Sequence, residues 1–206
     1  MDKRNVEPFG LKLIMQVYNF AQVCLNVYMI YGLSEVVGVP NIFGINKPYS
    51  ANLEFFCFVH FLSKALDYFD TIFIILRKKY DQLSVLHVYH HASIGMVWAY
   101  LLQIGHANGT ASYGAFINSV IHFIMYSHYF IRSIGLENPF KRLVTSAQIT
   151  QFYSCMLHAV LVPIYDEIIP KKLAILQLCY HTTMIYLFTN FYNQQYKSKG
   201  KGKKTS

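Results

Sequence analysis

Apolar runs of about 20 residues recur along the chain, each roughly the length that spans ~30 Å of hydrocarbon as a helix. They are separated by short stretches rich in Gly, Pro, Asn and Lys, such as Gly38-Val39-Pro40, Lys47-Pro48, Gly105 to Gly109, Asn138-Pro139 and Pro170. The pattern predicts six transmembrane helices: Leu13 to Leu33, Leu53 to Leu76, Leu83 to Ile104, Ala111 to Ile131, Val144 to Ile164 and Leu173 to Phe191. No internal repeat is visible. The expected fold is all-α, a six-helix membrane bundle formed by one domain over residues 1–196, with a lysine-rich tail over 197–206.

Polar residues interrupt these runs in a regular way. Lys64, Asp67 and Asp70 follow one another at three-residue steps on the second helix, then Thr71. His87, His90 and His91 open the third, at i, i+3 and i+4, and are expected to share a face. Asn118, His122, Met125, Tyr126 and Tyr129 form a stripe on the fourth, and Thr145, Gln148 and Gln151 step along the fifth. Charges and imidazoles in hydrocarbon are costly and mark function by default. Alternating helix direction puts all four groups in the same half of the membrane, which predicts an intramembrane cavity open to one side. A Lys64–Asp67 pair that only sets helix register is the plainer alternative. His60, His158 and His181 stand singly on apolar faces and read as packing residues, whereas Trp98 lies one helical face along from the His triplet and is placed on the cavity wall.

Composition agrees: 54% of residues are hydrophobic and 17% aromatic, which favours a membrane protein once the runs are seen to be span-length. The net charge of +8 raises the question of nucleic acid, but the chain has no recognition motif and its basic residues lie between apolar segments. Topology accounts for them. Lys3, Arg4, Lys12, Arg77, Lys78, Lys79, Arg132, Lys141, Arg142 and the five lysines from Lys197 to Lys204 fall on one side of a six-span arrangement, against Lys47, Lys171 and Lys172 on the other. The positive-inside rule then puts both termini in the cytosol. Lys203 and Lys204, third and fourth from the end, match a dilysine endoplasmic reticulum retrieval signal. Asn108-Gly109-Thr110 is a sequon on the opposite side, too close to two helix ends to be modified. Cys24, Cys57, Cys155 and Cys179 have no CxxC spacing and read as reduced packing residues. No cleavable signal peptide is expected, since Asp2-Lys3-Arg4-Asn5 leads into a long segment without a small-residue cleavage site.

The histidines allow two chemistries. A metal centre of the desaturase or hydroxylase kind needs several histidine boxes, and one HxxHH with scattered single histidines falls short of that ligand count. Imidazole used directly is the other: a neutral ring attacks a thioester to give an acyl-imidazole while a neighbour handles the proton. The pattern alone does not choose the nucleophile. A lipid or ion carrier using the same polar cavity without chemistry is a third reading, although repeats and broken helices are lacking.

Four motifs resemble those of the ELO-type fatty acid elongases. Lys64-Ala-Leu-Asp67-Tyr-Phe-Asp70-Thr71 is similar to KxxExxDT, His87-Val-Tyr-His90-His91 to HxxHH, His122-Phe-Ile-Met125-Tyr126-Ser-His128-Tyr129 to HxxMYxYY, and Thr145-Ser-Ala-Gln148-Ile-Thr-Gln151-Phe152 to TxxQxxQF. The resemblance implies condensation of acyl-CoA with malonyl-CoA to a 3-oxoacyl-CoA two carbons longer, without metal or cofactor, at the endoplasmic reticulum membrane. It implies that His90 carries the acyl group and that His122 faces the same centre. His87 and His91 are expected to orient groups or transfer protons, and Asn118 or Gln148 to hydrogen-bond substrate oxygens. Lys64 is expected to pair with carboxylates or meet CoA phosphate; Asp67, Asp70, Tyr126 and Gln151 complete the expected substrate-binding set. The other enzymes of the elongation cycle (reductases and dehydratase) and a second copy of the chain are the implied protein partners. Gln82, five residues before His87, resembles the polyunsaturated-acyl branch. Asp67 stands in place of the usual Glu, one methylene shorter, and His128 replaces a Tyr. The family's usual first helix has no counterpart, and that helix lies outside its six-helix barrel.

Overall fold

The computed structural model describes residues 9–194; Lys3, Arg4 and the 197–206 tail with its dilysine pair lie outside the described residues. Six helices make up the fold: α1 (Phe9–Leu33), α2 (Ala51–Leu76), α3 (Val85–Gln103), α4 (Ser112–Ser133), α5 (Lys141–Tyr165) and α6 (Lys171–Tyr192), with short 3-10 turns in the connections. Every predicted helix is present, its ends within four residues of the expected ones. Side-chain caps explain two of the starts. Ser50 accepts from the Leu53 amide ahead of α2, and Ser84 accepts from the His87 amide at 3.2 Å, so α3 begins just before its histidines.

The helices form a closed ring in the order α1, α2, α3, α6, α5, α4 and back to α1, with α2 also reaching α4. Polarity is inverted relative to a water-soluble bundle. Lys64 is 4% exposed and Asp67, His122 and Gln151 are buried, while Phe55 is 51% exposed and Phe58, Leu62, Leu66 and Phe69 also face outward. Such an apolar exterior around buried charge suits a hydrocarbon surround. By length and composition alone, one stretch among the described residues, Gly10–Val36, is apolar enough to cross a membrane. The polar groups turned inward lower the hydropathy of the other helices.

At one end, three connections are tied together. The Asp166 carboxylate, at the end of α5, accepts from the Thr110 hydroxyl (2.6 Å) and from the amides of Asn46 (2.7 Å), Ile168 (2.9 Å) and Ile169 (2.8 Å). Thr110 in turn accepts from the Lys47 amide, and Asn108 exchanges hydrogen bonds with both backbone groups of Ser50. Gly109 sits at φ 50°, where an added Cβ would meet the Lys47 carbonyl oxygen at 2.5 Å, so the close crossing requires glycine. The Asn108 side-chain nitrogen donates to the Ser50 carbonyl and the residue is buried.

Burial pushes the Asp166 carboxyl up, but the hydrogen bonds from Thr110, Ile169, Asn46 and Ile168 outweigh it and hold the group below the usual carboxylate range. A depressed folded value contributes stability that is fully present above the unfolded value of about 3.9 and is lost as pH falls through the lower folded value. The melting temperature of the detergent-solubilised wild type is therefore expected to drop steeply below about pH 4. Asp166→Asn should be less stable at pH 7 by about 1–3 kcal/mol, melt lower, and show a flatter acid limb. A wild-type acid limb no steeper than that of the variant would contradict the assignment.

Candidate active site

Two structures meet inside the ring. The first is an apolar cavity among α3, α4, α5 and α6. His90, Asn118, Gln151 and Tyr180 line it near one end, Trp98, Cys155, Gln177 and His181 along its length, and Leu101, Ile169 and Leu173 toward the tied connections. From His90 to Leu101 it follows α3 for roughly 16 Å, at 1.5 Å per residue. The second is a buried polar network among α1, α2 and α4, directly behind Asn118.

The three histidines of α3 do not act as one face. His87 and His91, four residues apart, stack with ring centroids 4.2 Å apart, and His87 Nε2 lies 2.8 Å from the Thr71 hydroxyl of α2. His90 projects to the other side. Its Nδ1 is 3.2 Å from the Tyr180 hydroxyl of α6, and its ring meets Phe152 of α5 edge to face. The 100° between successive helical residues separates His90 from His91, so only His90 reaches the cavity. His122 reaches the network instead, with Nδ1 3.8 Å from an Asp67 oxygen and its ring edge-on to Tyr126.

In the network, Lys64 donates to Asp67 Oδ2 and to Asn118 Oδ1, both at 3.0 Å. The Tyr126 hydroxyl, 0% exposed, shares its one proton between Asp67 Oδ1 (3.1 Å) and Asp70 Oδ2 (2.7 Å). Tyr18 and Gln22 of α1 join from outside the motifs: Gln22 Nε2 donates to Asp67 Oδ1 at 3.2 Å and to the Tyr18 hydroxyl at 3.0 Å. A buried charge needs such company.

The expected substrate-binding residues divide between cavity and network. Lys64, Asp67, Asp70 and Tyr126 do not line the cavity; they lie in the network behind it, where Lys64 bonds Asn118 on the wall. Lys64 pairs with Asp67 at 3.0 Å, and both side chains are buried. Asn118 and Gln151 do line the cavity, whereas the Gln148 amide, one turn away on α5, is turned to Met125 Sδ at 3.3 Å. The α4 stripe runs from Asn118 to Tyr126 and then stops, because Tyr129 is exposed. Of the single histidines, His60 packs edge-on to Trp98 and His158 stacks on Tyr113, but His181 lies on the cavity wall. Tyr180 and Gln177 also line the cavity, and the Ser93 hydroxyl lies 3.4 Å from that of Tyr180; no motif singles these residues out. A helix far along the chain supplies Tyr180, and no local spacing announces it.

Among the described residues no cluster of three or more His, Cys, Asp or Glu side chains is placed to hold a metal. The arrangement places the His90 imidazole and the Asn118 amide on the wall of one apolar slot. A layout of this kind suits acyl transfer.

Comparison with known proteins agrees with this class. The family model described as "ELO: GNS1/SUR4 family" matches residues 1–204. The chain is 49% identical to fatty acid elongase 5 of Leishmania major, over 90% of this chain and 74% of that protein. It is 45% identical to fatty acid elongase 5 of Trypanosoma cruzi, over 93% and 75%, and 34% identical to very long chain fatty acid elongase 5 of Mus musculus, over 96% and 69%. The chain belongs to the ELO family. It is a condensing enzyme of fatty acid elongation, an acyltransferase of the 3-oxoacyl-CoA synthase type.

Proposed function

We propose that the enzyme condenses polyunsaturated long-chain acyl-CoA with malonyl-CoA through an acyl group carried on His90. The observation that carries the reading is the His90–Tyr180 contact at the head of the apolar cavity. With its proton on Nδ1, donated to the Tyr180 oxygen, His90 keeps the Nε2 lone pair for attack. Nε2 adds to the thioester carbon, the C–S bond breaks, and CoA leaves as a thiolate that takes up a proton. Malonyl-CoA then loses carbon dioxide. The carbanion at its C2 attacks the acyl carbon, the C–N bond to His90 breaks, and 3-oxoacyl-CoA departs with the imidazole restored. Both steps pass through an oxyanion, for which the Asn118 amide is the donor: its Oδ1 is engaged by the Lys64 ammonium, so only Nδ2 is left for the cavity. His87, His91 and His122 orient the site and pass protons, and Gln151 borders the bound chain. No cofactor is required, since decarboxylation supplies the carbanion.

The acyl chain lies along the cavity toward the tied connections, which close the tunnel. The six helices span the endoplasmic reticulum membrane as one domain with both termini in the cytosol, a reading supported by the apolar exterior and by the basic residues of the α2–α3 and α4–α5 connections. Gln82, in the short turn ahead of α3, supports the polyunsaturated preference. Reductase and dehydratase reactions consume the 3-oxo product.

Purified protein given a mixed acyl-CoA pool and labelled malonyl-CoA should release carbon dioxide and 3-oxoacyl-CoA in equal amounts, with polyunsaturated chains consumed first. Absence of both products would remove the condensing reaction. Equal use of saturated and polyunsaturated chains would remove only the preference.

A further inference from the structure

We infer that Gln22 of α1 is a positioning residue for the active centre, acting on the oxyanion amide of Asn118 through Asp67 and Lys64; the inference rests on the role given to Asn118 above. Gln22 is 2% exposed and does not line the cavity. Its amide orientation is dictated by chemistry. A carboxylate only accepts, so the atom 3.2 Å from Asp67 Oδ1 must be the Gln22 nitrogen. The same orientation leaves Gln22 Oε1 buried without a partner, a penalty a freely turning amide would avoid.

The consequences run in one direction. Gln22 and Tyr126 hold Asp67 Oδ1, which leaves Oδ2 to Lys64. Lys64 has no acceptor, so its contact at 3.0 Å must be with the Asn118 oxygen, and this forces Asn118 Nδ2 outward to the cavity that His90 lines. Each member is pinned by the next, from α1 through α2 to α4. The short aspartate fits this chain: its carboxylate stops where the Gln22 amide meets it, and a glutamate at position 67 would push one methylene into the space that amide occupies. α1 therefore does more than complete the ring: Gln22 joins Tyr126 and Lys64 in fixing the Asp67 carboxylate, and its loss loosens the aim of the Asn118 amide on the cavity wall.

The test is a double-mutant cycle on the full chain in detergent, with folding checked by thermal melting and kcat and KM measured for the acyl-CoA. Gln22→Leu should lower kcat about tenfold with KM for acyl-CoA nearly unchanged, the mark of a group felt only in the transition state. The same change made on Asn118→Ala should cost nothing further, because the aimed donor is already gone. Asp67→Glu should also lose activity, and Gln22→Ala/Asp67→Glu should recover most of it. Should Gln22→Leu fail to fold, Gln22→Asn, whose amide is too short to reach Asp67, carries the same expectations. A wild-type kcat in Gln22→Leu, or an equal loss in both backgrounds, overturns the positioning role. A wild-type kcat in Asn118→Ala overturns the oxyanion reading instead.

Discussion

His90→Ala abolishes formation of an acyl adduct on the protein and lowers turnover by at least ~10³-fold, as removal of a covalent nucleophile does. The measurement is intact mass after incubation with acyl-CoA alone, with peptide mapping of the modified residue. Wild type should gain the mass of the acyl group at His90, and Tyr180→Phe should still gain it, more slowly, since the ring keeps its nitrogen and loses only the group that sets its tautomer. Because His87 and His91 are turned toward α2, neither is placed to substitute for His90. An adduct on Cys155, the thiol on the cavity wall, or on His181 would overturn the assignment.

Lys64→Leu leaves the buried Asp67 carboxylate without its cation and is expected to cost about 3–5 kcal/mol of stability. Asp67 retains Tyr126 and Gln22 as donors, but neither carries charge. Adding Asp67→Leu on the same chain removes the orphaned charge and should restore much of the melting temperature, since an apolar pair of similar volume replaces a buried ion pair at little cost. Activity should not return with it, because Asn118 has then lost the ammonium that fixes its amide. Recovery of stability without recovery of turnover separates the two roles of Lys64. If the double variant regains full activity, the pair serves only helix register, the plainer alternative raised by its spacing.

The helices were legible because span length and punctuation are local properties, and Ser50 and Ser84 mark two of the starts. The convergence of polar groups was also legible, since residues three and four apart on a helix share a side whatever they pack against. The same rule misled at the histidines: His87 and His91 stack as it requires, while His90, offset from His91 by one residue, faces a different helix. It also extended the α4 stripe to Tyr129, which is exposed.

By itself, the order of residues determined six apolar helices, the charge asymmetry of their connections, and four sets of polar side chains bound to lie inside. Local spacing settles these, and so does the cost of exposing polar groups to hydrocarbon. Only the tertiary structure decided which inward groups line the cavity and which lie in the network behind it. Closing the ring sets α6 against α3, bringing Tyr180 to His90 across 90 positions, and sets α1 against α2 and α4, bringing Gln22 to Asp67 across 45. Partners so far apart are matched by helix packing, which spacing along one helix does not encode.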